Sequence, residues 1–450
     1  MANKLLVGFG RCNITPAMGI QIYGYYKERI ADGVLDELEV NAIAFSDGNK
    51  KAVMVSIDHC GIRRDVMEEY KDEIVKQTGL DRDAIYLHAT HTHTAPQIFS
   101  DAMTNDKRVL DYKEFVKLKV VDACAFALND LKPAKMGFGT AKAENVAFIR
   151  RFRMKDGSVK TNPGVNNPDI VAPIGEMDVN VCVLRFSRED GDIVLANFAN
   201  HPDTVGGNKI SGDWPTLFRH VTEKALINTK SIFFNGAQGD VNHVNVHPKG
   251  GDFNDMFNDF DGCSRGYGHT RYIARVMAGA VLQIFDKVEY VDVEDIDYLQ
   301  KEYQIPTNKA TTKEELALAH KYNDLHNAGR DDEIPFKEMM LTTVVAEAAR
   351  MVRLENAPDT NPLIFSALKI GPVGFFGIPG EPFNVVGREV KKTKGYKMVI
   401  PTGLTNGYEG YYPAMDAYLE GGYEARSSNF KAGVAERIIE IGKEMLAELK

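Results

Sequence analysis

The sequence predicts a mixed α/β fold in which central mixed β-sheets are flanked by helices, stacked as an α/β/β/α sandwich. Short apolar runs recur along the 450 residues, polar turns border these runs, and helical patterns separate several of them. Apolar runs of about four to eight residues between turns are typical of strands. Strands that alternate with helices indicate the α/β or α+β class with mixed sheets.

The elements follow from their local patterns in chain order. Continuous apolar runs predict strands at residues 42–45, 52–57, 85–87, 193–196 and 231–234. Helical spacing of apolar residues predicts helices over residues 66–77, 112–131, 311–327, 335–354 and 429–450. We expect Pro335 in the first turn of its helix, where the fixed φ of proline is tolerated.

A single domain over residues 1–450 is the predicted organisation. The Gly-, Asp- and Asn-rich stretch 249–268 is followed by more of the same α/β pattern, so it is predicted to be a surface loop and not a linker. The helices between residues 311 and 354 are expected to form an insertion or a cap.

Composition excludes several classes of protein. A net charge of −9 and the lack of a Lys/Arg-rich block argue against a nucleic-acid partner. No apolar stretch reaches the length of a membrane span, and the first residues lack the apolar core of a signal peptide. We therefore expect a cytoplasmic protein without an integral membrane segment.

Two histidines follow the strand predicted at 85–87, within the motif T-H-T-H-T-A-P at residues 90–96. Alternate side chains of an extended chain point the same way, so His91 and His93 are expected to share one face. Neutral imidazole is the commonest metal ligand, which makes one of them a candidate ligand with the other beside it. A polar strand end without a metal explains the same pattern.

His201 and Glu381 follow two further strand-like runs. Pro202 stops the first run at His201. Glu381 follows the run 370–378 and is predicted at a helix start, where the helix dipole favours a carboxylate. Taken singly, a structural histidine and a helix-terminal glutamate account for both.

Tyrosines are unusually dense among Gly and Asn in residues 406–423. They predict either an aromatic rim around a pocket or a tyrosinate metal ligand. Strand ends are where α/β proteins commonly place sites, and two nitrogens with oxygen ligands suit zinc. Because zinc acidifies a bound water and polarises a carbonyl, the combined set favours a hydrolase.

These motifs resemble the catalytic domain of the neutral/alkaline (non-lysosomal) ceramidase family, in order across nearly the whole chain. Residues 10–16 resemble the family's G-x-x-D-I-T opening, with Asn13 in place of aspartate, and residues 90–96 resemble its T-H-T-H-[ST]-x-P motif. The resemblance implies a Zn²⁺ site with four ligands: His91, His201, Glu381 and Tyr411. It also implies three catalytic residues: His93 for proton transfer, Arg150 (with Arg151 close behind), and Tyr423 to stabilise an oxyanion.

By this resemblance the protein is a zinc-dependent amidohydrolase that cleaves a linear, ceramide-like N-acyl amide bond through a zinc-activated water. Its substrate is then a small-molecule or lipid-like N-acyl compound, and its place is in sphingolipid metabolism. The C-terminal immunoglobulin-like domain of full-length ceramidases is not expected here. Two alternatives remain: a zinc esterase or lactonase that uses the same residues, and a non-catalytic small-ligand-binding protein with a vestigial metal site. The oligomeric state stays open.

Overall fold

The structure, a computed structural model, describes residues 5–99, 106–249, 257–258 and 264–449. Ten α-helices lie in this described part: α1 Arg64–Thr78, α2 Lys107–Asn129, α3 Asp213–Ala225, α4 Tyr267–Phe285, α5 Lys313–Asn327, α6 Glu338–Leu354, α7 Asn384–Val390, α8 Met415–Glu420, α9 Tyr423–Ser427 and α10 Val434–Glu448. Two short 3-10 helices lie at Arg82–Ala84 and Asp331–Glu333.

Nine strands form the larger sheet: β1 Leu6–Asn13, β2 Glu39–Ser46, β3 Lys51–Ile57, β4 Ile85–Ala89, β5 Lys132–Lys142, β6 Asn180–Arg188, β7 Asp192–Phe198, β8 Thr229–Asn235 and β9 Glu289–Val291. Their order is β8-β7-β6-β5-β1-β2-β3-β4, and β9 pairs with β5. The pairs β3/β4 and β7/β8 are parallel and the others are antiparallel, so the sheet is mixed.

Four strands form the second sheet, in the order β10 Ile296–Pro306, β11 Thr360–Ile370, β12 Val373–Gly377 and β13 Met398–Thr402. Only its β12/β13 pair is parallel. The remaining strands are short: Gln21–Ile22, Arg29–Ile30, Gly33–Val34, Phe148–Ile149, Arg151–Met154, Val159–Thr161, Ile170–Pro173, Lys209–Ile210, Val241–Asn242, Phe257–Asn258, Ser264–Arg265, Glu381–Pro382 and Tyr411–Tyr412.

The two sheets pack face to face, with helices on both outer faces. Met54 of β3 lies in the cluster between the sheets, together with Phe375 of β12. Val53 and Val55, its neighbours in β3, point the opposite way and pack against α1 and α2. Helices α3 and α4 cover the other half of the large sheet, and α7 and α10 cover the second sheet. This order of layers confirms the predicted α/β/β/α sandwich.

Local sequence explains where several helices begin and end. Helix α1 stops at Gly79, which adopts a left-handed φ of 70° and donates its backbone N–H to Val75 O at 2.9 Å. Helix α5 starts with a capping box, in which Thr312 accepts the Glu315 backbone N–H and the Glu315 carboxylate accepts that of Thr312. Such caps satisfy backbone groups that a helix end leaves without partners.

The predicted strands lie within β2, β3, β4, β7 and β8, and the predicted helices overlap α1, α2, α5, α6 and α10, so these elements are confirmed. Two details were wrong. Pro335 does not lie in the first turn of its helix, because α6 begins at Glu338. The strand-like run 370–378 is not one strand, because the φ of 52° at Gly371 turns the chain between β11 and β12.

Most of the stretch 249–268, predicted as a loop, lies outside the described residues. Its last two residues, Tyr267 and Gly268, begin α4, so the prediction was wrong for them. Among the described helices, none combines the length and the apolar character of a membrane span.

Candidate metal centre and catalytic cleft

Segments that follow four strands converge on one buried cluster. His91 comes after β4, His201 after β7 and Glu381 after β12, and the two-residue strand that begins at Glu381 pairs in parallel with Tyr411–Tyr412, which follows β13. Strand ends from both sheets therefore deliver the side chains, although the first and last of them, His91 and Tyr411, are 320 positions apart in sequence.

His91, His201 and Glu381 point at one another. Glu381 Oε2 lies 3.2 Å from His91 Nε2 and 3.1 Å from His201 Nε2. All three side chains are buried, with Glu381 fully shielded from solvent. These atoms form a group that could hold a metal ion.

The hydrogen bonds around this cluster favour the neutral tautomers in which the histidine nitrogens that face Glu381 carry no proton. His91 Nδ1 donates to the Cys60 carbonyl, and His201 Nδ1 donates to the Val241 carbonyl at 2.7 Å. A carbonyl can only accept, so in each neutral ring Nε2 carries a lone pair. Glu381 Oε2 accepts no hydrogen bond from a described residue.

Two lone pairs and a carboxylate oxygen thus face each other in a buried space, an arrangement that positive charge between them would stabilise. Burial alone would lower the pKa of His91, but the Glu381 carboxylate raises it well above its ordinary value. Either a metal ion bound between these atoms or a proton on His91 would supply this positive charge. Two imidazole nitrogens and a carboxylate, with the imidazoles oriented by backbone carbonyls, fit a transition-metal site.

Two tyrosines of the same loop border the cluster. The Tyr408 hydroxyl donates to Glu381 Oε1 at 3.0 Å, which leaves Oε2 for the two histidines. Tyr411 is also buried, with its ring centroid 5.5 Å from the Tyr423 ring and 5.5 Å from the Arg150 guanidinium carbon. Burial and the charge of Glu381 raise the pKa of Tyr411 well above 10.

His93 lies next to His91, with 3.4 Å between their Nε2 atoms. Its Nδ1 is 3.7 Å from Asp203 Oδ1, and Asp203 also accepts the Tyr25 hydroxyl. Burial lowers the pKa of His93 to about 3, so its ring is neutral near pH 7.

The predicted reason for the proximity of the two histidines was wrong. β4 ends at Ala89 and His91 has a left-handed φ of 82°, so the chain is not extended between His91 and His93. The tight turn of the loop brings the two rings together.

Of the two neighbouring arginines, Arg150 enters the site. Its Nη1 lies 3.3 Å from His201 Nε2, its Nε donates to Glu424 at 2.7 Å, and its Nη2 donates to Gly239 O at 2.9 Å. Arg151 points away and pairs with Glu420 at 3.0 Å.

Gly239 leaves no room for a side chain beside Arg150, because a Cβ there would lie 2.5 Å from the Glu381 carbonyl oxygen. This close backbone approach explains the glycine in the G-A-Q-G-D-V turn at residues 236–241.

Tyr423 closes the outer side of the cleft. Its hydroxyl lies 3.0 Å from that of Tyr26, and its ring packs edge-on against Tyr411. The predicted site residues are thus brought to one place, but Glu381 does not begin a helix. It lies in a strand of two residues, and α7 starts at Asn384 after the cap residue Phe383.

Sequence reasoning missed the residues that orient the cluster. Tyr408 donates a hydrogen bond to Glu381, Glu424 accepts one from Arg150, and Asp203 lies 3.7 Å from His93. Each lies within three residues of a predicted site residue. The carbonyls of Cys60 and Val241 had no sequence signal, because any residue supplies a carbonyl.

Comparisons with known proteins indicate the family and the fold of the chain. The family model described as neutral/alkaline non-lysosomal ceramidase, N-terminal, matches residues 5–328. The fold is similar to that of neutral ceramidase from Pseudomonas aeruginosa, with a TM-score of 0.73 at 18% identity, over 100% of this chain and 75% of that chain. A ceramidase complexed with C2 gives a TM-score of 0.74 at the same identity and coverage. A comparison with curated proteins finds no match.

Proposed function

The chain belongs to the neutral/alkaline non-lysosomal ceramidase family, as its motifs indicated, and we propose that it is a zinc-dependent hydrolase of linear amide bonds in N-acyl substrates. The observation that carries the proposal is the buried cluster of His91, His201 and Glu381, in which three lone-pair atoms face one another. In this proposal these three residues bind Zn²⁺, and Tyr411 completes the set.

Bound zinc supplies two things to such a site: it lowers the pKa of a water to about 7, and it polarises a carbonyl oxygen. The protein's own residues then orient the substrate and move protons. Arg150 is fixed by Glu424 and Gly239, so its guanidinium is held in place to stabilise negative charge on the carbonyl oxygen. Tyr423 is the second donor for that oxygen.

His93 transfers protons in this scheme. Its ring is neutral and lies beside His91, within reach of a water or a leaving amine at the cluster. Asp203, 3.7 Å from Nδ1, stabilises the imidazolium that forms when His93 accepts a proton. An amide needs this group more than an ester does, because its nitrogen must be protonated to leave.

The test is hydrolysis of short N-acyl amides and their matching esters by zinc-loaded protein, with Glu381→Gln as the comparison. We expect cleavage of the amides and loss of most of that activity in the folded variant. Cleavage of the esters alone would favour an esterase or lactonase. Binding of the compounds without turnover of either kind would favour a ligand-binding protein with a vestigial site.

A further inference from the structure

A cavity of about 730 Å³ adjoins the candidate metal centre. Tyr408, Tyr411 and Tyr423 line it beside the cluster, and Arg63 and Arg353 are exposed lining residues at its mouth. Because Tyr408 also donates a hydrogen bond to Glu381, this cavity lies directly beside the cluster. Its lining therefore bears on which substrates fit, given the amide hydrolysis proposed above.

The lining is aromatic and polar. Five tyrosines and Phe99 supply its apolar surface, and the described lining residues include no Leu, Ile, Val or Met. Small-molecule sites usually combine hydrophobic and aromatic side chains with only a few polar groups, whereas six of the fifteen lining residues here carry charged side chains. These walls suit a compact, polar ligand better than two long alkyl chains.

Three arginines line the cavity, and two of them are neutralised. Arg63 pairs with Asp65 at 2.9 Å, and Arg64 pairs with Glu302 at 3.3 Å. Arg353, in the last turn of α6, has no carboxylate within 4.0 Å among the described residues. It is the one cation of the described lining that lacks an acidic partner.

Arg353 is nevertheless held at the mouth. Its Nη2 donates to Asn429 Oδ1 at 2.6 Å, and the Asn429 amide nitrogen donates in turn to the Glu409 backbone carbonyl at 2.9 Å. The hydrogen bond to Asn429 uses one of the five guanidinium N–H groups of Arg353, so the other four are available to a ligand. The Glu409 side chain also lines the cavity, but it makes no ion pair with Arg353 within 4.0 Å.

We propose that the substrates carry a carboxylate, as N-acyl amino acids do, and that Arg353 binds this carboxylate at the cavity mouth. Hydrolysis then adds water oxygen to the acyl carbon and breaks the C–N bond, and the amine nitrogen of the amino acid takes up a proton. Helix α6 then has a role in specificity, since Arg353 lies in its last turn. Arginine suits this task because its planar donors match a carboxylate.

The test compares N-hexanoylglycine with N-hexanoylglycinamide, which share the hexanoyl–nitrogen bond and differ in charge. For wild-type, zinc-loaded protein we expect kcat/KM for hexanoate release to be about 10- to 100-fold higher with the carboxylate. Arg353→Gln should bring the two values within about threefold of one another. The control is Arg437→Gln: Arg437 is a half-buried arginine of α10 that pairs with Glu440 at 2.8 Å and does not line the cavity, so this variant should keep the full preference.

Equal rates on both compounds in the wild type, or an unchanged preference in Arg353→Gln, would overturn the inference. Absence of hexanoate release from both compounds, and from neutral N-acyl amides, would instead overturn the proposed hydrolysis. In that case calorimetric binding of the two compounds still decides the charge inference. We then expect at least about tenfold tighter binding of N-hexanoylglycine, lost in Arg353→Gln, and equal binding would reject it.

Discussion

Replacing Tyr408 by Phe removes one hydroxyl and tests how Glu381 is positioned. The hydroxyl donates to Glu381 Oε1 at 3.0 Å, while the ring packs so closely on Gly61 that a Cβ there would lie 2.8 Å from it. Phenylalanine keeps that packing. A hydrogen bond to a charged group contributes about 1.5–3 kcal/mol, and tenfold in affinity corresponds to about 1.4 kcal/mol. We therefore expect Tyr408→Phe to weaken zinc binding about 10- to 100-fold, as changes to groups that orient metal ligands do.

The assay is competition for zinc with a chromophoric chelator, with the thermal midpoint of the metal-free protein measured in parallel. Tyr412→Phe is the matched control, because Tyr412 is buried in the same loop and donates to the Pro379 carbonyl at 2.7 Å, not to a ligand. Its zinc affinity should stay within about threefold of wild type. Wild-type zinc affinity in a folded Tyr408→Phe protein would refute the reasoning.

Three further outcomes are expected. Arg150→Gln should lower kcat/KM about 100-fold or more, whereas Arg151→Gln should change it by less than about threefold, because only Arg150 lies beside His201; similar losses in steady-state kinetics would contradict this. The pKa of Glu39 is lowered: burial alone would raise it, but the hydrogen bond with His220 and the charge of Arg219 outweigh burial. The ionised Glu39 carboxylate therefore stabilises the fold above pH about 4.5, and this stabilisation is lost on acidification. Glu39→Gln should therefore lower the free energy of unfolding by about 1.5–3 kcal/mol at pH 7, because Arg219 keeps its pairing with Asp58 at 2.6 Å, and it should flatten the decline of that free energy in acid, as urea unfolding between pH 3 and 7 would measure; an unchanged decline would count against it. Hydrolysis should be fastest somewhat above neutral pH, because the Glu381 carboxylate and a Tyr411 that bound zinc would ionise offset the charge of the metal and leave the attacking water less acidic; a pH–rate profile that peaks near 5 would contradict that ligand set.

The sequence predicts most of the layered fold because its strands are buried on both faces and read as continuous apolar runs. Residues 52–57 are an example, since Met54 faces the second sheet while Val53 and Val55 face the helices. The predictions that were wrong concern the local backbone conformation. The left-handed turn at His91 and the short strand at Glu381 depend on contacts with distant loops, which no local pattern encodes.

The candidate site could be predicted as a set of residue types, but not as an arrangement. Histidine, carboxylate and tyrosine after strand ends were visible in the sequence, as was the pair of arginines. The choice of Arg150 over Arg151 is set by opposite directions of neighbouring side chains near a strand. The role of Tyr408 arises from a contact across 27 residues, so it appears only in three dimensions.

The metal content of the purified protein tests the central claim most directly. Elemental analysis would compare protein prepared without chelator, an EDTA-treated sample, and the His91→Ala variant. The proposed site predicts about one zinc per wild-type chain, lost in both comparisons and regained by the EDTA-treated protein on titration. Wild-type protein that contains no metal and takes up no zinc on titration would contradict the assignment of His91, His201 and Glu381 as ligands.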